Sequence, residues 1–127
     1  MALFRRSRSR FPADMPRWLE TFGRYTFDLH SGIDDGEMWS RIATFHEMAR
    51  SDRDGFLTDL RAVVADDRGG FATFGAARVV WELFGGDALH LPAALPIIDA
   101  GIAFKRARGL PTGALTGYEM QRLRQTD

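Results

Sequence analysis

The sequence predicts an all-α fold, a compact orthogonal bundle of five or six helices with one short extended segment near residues 24–29. Three observations carry this. Apolar residues recur at helical spacing in successive segments, only one run alternates with a period of two, and glycine or proline punctuates the joints between segments. At 127 residues the chain fits one domain and is long enough to bury a core. It divides into a basic arm over residues 1–12 and a single helical domain over residues 13–127.

Pro12 and Pro16 mark the passage from the arm into the domain, where Met15, Trp18, Leu19 and Phe22 predict a first helix ending at Gly23. In the following stretch Tyr25, Phe27 and Leu29 alternate with Arg24, Thr26, Asp28 and His30, which predicts the extended segment. Asp34 and Glu37 have the spacing of a capping box ahead of a second helix striped by Met38, Trp39, Ile42, Phe45 and Ala49. That helix should end near Arg50. Ser51 or Asp52 then caps a third, on which Phe56, Leu57, Leu60, Val63 and Val64 share a face.

The stretch GGFATFGAARVVWELFGG, residues 69–86, spaces Gly70 and Gly75 as a phosphate-cradling loop would, but Ala76 and Ala77 stand where that loop needs lysine and a hydroxyl, and no strand precedes it. We therefore expect no nucleotide here. The segment instead reads as a central helix, apolar nearly all round, with Gly75, Ala76 and Ala77 forming a notch for close packing and Gly85 and Gly86 a left-handed cap. Asp87 caps a short turn. A further helix starts near Pro92 or Pro96, faces Leu95, Ile97, Ile98, Ile102 and Phe104 inward and ends with Lys105, Arg106 and Arg108 before Gly109. Thr116 and Glu119 form a capping box for a terminal helix through Leu123.

Composition excludes several functions. Hydrophobic residues at 45% and charged residues at 27% are ordinary globular usage, so wholesale disorder is excluded. The chain contains no cysteine, which removes disulfides and thiolate metal sites and fits a cytoplasmic protein. No apolar stretch reaches the length of a membrane span, and the twin arginines Arg5 and Arg6 lack the apolar run of an export signal. Net charge is zero but unevenly placed: six arginines face three acids over residues 1–30, and nine acids face five arginines over residues 31–70. Arg5, Arg6, Arg8 and Arg10 are the residues that would contact phosphates, giving weak nucleic-acid association as the least favoured reading. The favoured one is a solvated arm whose arginines partly answer the acidic segment of the same chain.

No motif marks a catalytic residue, a metal site or a cofactor. In HEMAR, residues 46–50, Arg50 occupies the place where a zinc protease has its second histidine. The acids Asp28, Asp34, Asp35 and Glu37 lack the spacing of a calcium loop and read as helix caps. No serine lies in a nucleophile elbow. Arg78 and Glu82, four apart on the apolar helix, read as its exposed strip in preference to a part-buried ion pair. Were there a pocket between helices, Trp39, His46, Arg78 and Glu82 would line it.

The stretches FGRYTFDLHSGID, GGFATFGAARVVWELFGG and ARGLPTGALTGYEMQRL resemble parts of small all-helical bacterial proteins from GC-rich genomes. The resemblance covers most of the chain after Phe22 and carries no activity to any residue. The functional expectation is a small, non-catalytic interaction or regulatory module that binds another protein or itself, with a homodimer among the expected states. The alternative is a small-ligand binder or enzyme with a pocket between helices.

Overall fold

The computed structural model describes residues 15–26, 35–108 and 116–126, which form six α-helices and one 3₁₀ turn with short joints. The helices are α1 (Met15–Thr26), α2 (Asp35–Ser51), α3 (Arg53–Asp67), α4 (Phe71–Phe84), α5 (Leu95–Ala107) and α6 (Thr116–Thr126), with the 3₁₀ turn Gly85–His90 between α4 and α5. The all-α bundle is as the periodicity predicts.

α4 is the hub. It packs against α1, α2, α3, α5 and the 3₁₀ turn, and Phe74, Ala76, Ala77, Val79 and Val80 on it are fully buried. Its most extensive partner is α1, and the reason lies in two glycines. A Cβ on Gly75 would collide with the Leu19 carbonyl oxygen, and one on Gly23 with the Phe71 carbonyl oxygen. The two backbones therefore touch, and Met15, Trp18, Leu19 and Phe22 of α1 are buried beside this crossing. Burying four such side chains contributes roughly 6–12 kcal/mol. The predicted notch is real, and it has a counterpart.

That counterpart corrects the sequence reading of α1. Gly23 does not end the helix, which continues through Arg24, Tyr25 and Thr26. A helix-interior glycine costs about 1 kcal/mol relative to alanine, a penalty smaller than the burial that the close approach permits. The predicted extended segment is thus helical over residues 24–26, and residues 27–29 lie outside the described residues.

α2 and α3 are split by one residue. The Asp52 N–H donates to the Met48 carbonyl at 3.0 Å and closes α2, while its Oδ1 accepts from the Gly55 N–H at 3.0 Å and opens α3. Asp52, not Ser51, is the cap. α3 ends with Arg68 left-handed at φ 53°, followed by Gly69 at φ 82°. Gly85 terminates α4 at φ 55° and ψ −140°, a positive φ as expected but a region outside the left-handed helix, reached by glycine without strain. α5 takes Pro96 in its first turn and buries Ile97, Ile98, Ile102 and Phe104. Leu95, expected inside, is only half-buried.

α6 is attached differently. Among its described side chains only Tyr118 is fully buried, packed edge-on against Trp81 at 4.8 Å with its hydroxyl donating to the Gly85 carbonyl. Burial raises the Tyr118 pKa, and the nearby Asp87 carboxylate adds to the effect. Polar contacts add to this: Glu119 pairs with Lys105 at 2.7 Å and Arg106 at 2.6 Å, Arg122 pairs with Asp99 at 2.9 Å, and Gln125 Nε2 donates to the Leu89 carbonyl at 3.4 Å. The Glu119 carboxylate therefore reaches across to α5, a role that the capping-box spacing did not disclose. Lys105, expected only as a cation in the last turn of α5, is buried where it meets Glu119.

No single helix among the described residues is long and apolar enough to cross a membrane. α4 with its 3₁₀ turn and α5 are apolar because they form the core, and they meet at 117°.

Candidate functional site

The four residues expected to line a pocket divide into two pairs. Trp39 and His46 are seven apart on α2, so they lie on one side of it with Ala43 between them, and all three are exposed. Trp39 is 53% exposed, one of two large apolar side chains so presented among the described residues. The reason is local: Met38, Ile42 and Phe45 supply the buried face of α2, and Trp39 lies one residue off it.

Arg78 and Glu82 are on α4, and there the sequence reading needs correction. Their side chains retain only 19% and 25% of their exposure and pair at 3.2 Å. They are a part-buried ion pair, not an exposed strip. Burial lowers the Arg78 pKa, opposed by the Glu82 carboxylate, and the Arg78 Nε is buried without a hydrogen-bond partner among the described residues. Its guanidinium stands 5.9 Å from the Phe22 ring centroid, so α1 covers it.

The bundle does form a surface cleft of about 530 Å³, and none of these four residues lines it. Pro16, Arg17 and Glu20 of α1 form one wall, Ala62, Val63, Asp66 and Asp67 of α3 the other, and Ala72 of α4 closes the end. Each wall repeats at i, i+1 and i+4, the spacing of one helix face. Periodicity gives that face on each helix but not which helices stand opposite each other, so the cleft is invisible in the sequence. Small side chains at Ala62 and Ala72 leave the space, and three carboxylates against one guanidinium make its rim acidic.

Two of those carboxylates are engaged. Glu20 pairs with Arg24 at 3.1 Å. Asp67 Oδ2 accepts from the Thr73 N–H at 2.7 Å and so caps α4. The second contact bears on the glycine spacing at residues 70–75, because the helix end that a phosphate would address already carries a carboxylate. Among the described residues no three His, Asp or Glu side chains converge in a way that could hold a metal ion. Arg5, Arg6, Arg8 and Arg10 lie outside the described residues.

Compared with protein-family models, curated proteins and solved structures, the chain matches none.

Proposed function

We propose that this chain is a small non-catalytic interaction module of the cytoplasm, and that the outer face of α2 centred on Trp39 is its contact surface. The observation that carries the reading is the exposure of Trp39 in a protein that buries Trp18, Phe22, Phe45, Phe56, Phe74 and Tyr118. Tryptophan is the side chain most often found as the energetic anchor of a protein contact, because it offers a large rigid surface at little entropic cost. Ala43 and His46 extend the same face without obstructing it. The lack of cysteine fits a reducing compartment.

The four residues expected to line a pocket do not support the ligand-pocket alternative, since Trp39 and His46 face solvent while Arg78 and Glu82 pair with each other. A photo-crosslinking amino acid placed at Ser40, which is exposed beside Trp39, tests the proposal in the cell that makes the protein. The expected result is a discrete crosslinked protein, either a second copy or a different chain, lost in Trp39→Ser. Stability should change by no more than about 0.5 kcal/mol in that variant, as for other surface substitutions. A crosslink pattern identical in wild type and Trp39→Ser would overturn the assignment of this face.

A further inference from the structure

The cleft between α1 and α3 lies beside the start of α1. Pro16 and Arg17 in its wall are the second and third residues of that helix, so the residues before Met15 are tethered within a few residues of the cleft. Those residues include Arg5, Arg6, Arg8 and Arg10, with no acid before Asp14. The cleft itself carries Glu20, Asp66 and Asp67. Asp66 is exposed and has no ion pair among the described residues, so one carboxylate on the rim is uncommitted. The floor of Ala62, Val63 and Ala72 has room for a bulky apolar group, and the arm carries Phe11 beside Arg10.

We propose that this cleft is the seat of the chain's own basic arm, with Arg8 and Arg10 meeting Asp66 and Glu20 and Phe11 covering the alanine and valine floor. Reach permits it: five residues of extended chain span about 17 Å, whereas a cleft of this volume taken as a sphere is roughly 10 Å across. Tethering favours it over a separate cationic ligand, because a short linker holds the arm at an effective concentration in the millimolar range. The seat answers the charge asymmetry of the sequence within one molecule. It also competes with phosphate for the same arginines, so the arm's affinity for nucleic acid is held down while the cleft is filled.

The chain contains no cysteine, so Ser9→Cys provides a unique attachment point for a nitroxide on the full-length protein. At low salt the amide signals of Arg17, Ala62, Val63 and Asp66 should broaden several-fold more than those of Trp39 and His46. The difference should vanish at about 1 M salt, where the screening length falls to about 3 Å. It should shrink likewise in Asp66→Asn, a surface change that leaves the α4 cap at Asp67 intact and whose fold the diamagnetic spectrum checks. Broadening centred on another face, or unaltered by salt and by Asp66→Asn, would sink the proposal. So would broadening in an unlabelled isotopic chain mixed with labelled chain, because the occupant would then be the arm of a second copy.

Discussion

Arg78 brings a permanent charge into the side of an otherwise apolar helix, and Glu82 one turn later is what makes this tolerable. A part-buried charge without its partner retains its desolvation cost, whereas removing both charges together abolishes it. Glu82→Gln should therefore destabilise the protein by roughly 1–2 kcal/mol, and Arg78→Met combined with Glu82→Leu should recover most of that loss. Urea unfolding of the wild type, the single variants and the double variant measures it. A double variant as weak as Glu82→Gln would show that Arg78 acts by shape against Phe22 and not through charge. The sequence revealed the four-residue spacing of this pair. It could not reveal burial, because whether a polar strip on one helix faces water depends on whether another helix, here α1, lies over it.

At the scale of elements, the crossing of α1 and α4 and the docking of α6 represent two ways of holding a helix. The first rests on backbone contact at Gly23 and Gly75 with large side chains packed around it. Gly75→Ala must push α1 away from the Leu19 carbonyl, and overpacking of this kind costs about 1–3 kcal/mol. Chemical denaturation should give a value toward the upper end, because the obstructing atom is backbone and cannot rotate aside. The second way rests on charge. Hydrogen bonds from Lys105 and then Arg106 lower the Glu119 pKa below the usual carboxylate range. A carboxylate depressed in the folded state stabilises fully above its ordinary value, near 4.3, and loses that contribution as pH falls through the lowered one. On acidification, α6 should therefore loosen before the core unfolds, seen as accelerated amide exchange in residues 116–126 and altered near-ultraviolet dichroism from Trp81 against Tyr118. Glu119→Gln should flatten this acid limb and weaken α6 already at neutral pH, since Lys105 stays buried without a charged partner.

For the whole molecule, the helices and their order could be read from 3.6-residue periodicity and from punctuation by glycine and proline. The central position of α4 was legible too, because a helix apolar nearly all round must be surrounded. Asp52 and Pro96 were recognisable as helix-start signals because capping is a local interaction between residues three or four apart. What failed was of another kind. Gly23 reads as a stop in isolation and becomes an interior residue only when Gly75 comes against it; Glu119 reads as a cap and becomes an ion-pair partner only when α5 comes beside α6. The four residues expected to line a pocket do not come together, and the acidic cleft between α1 and α3 escaped notice altogether. The sequence alone determined where the helices lie to within a few residues at their ends, which segments carry an apolar face and where charge accumulates, since each depends on neighbours along the chain. Only the tertiary structure decided which glycine is a helix stop or a contact, which charge is buried and which faces oppose each other, because those properties arise between helices that the sequence places far apart.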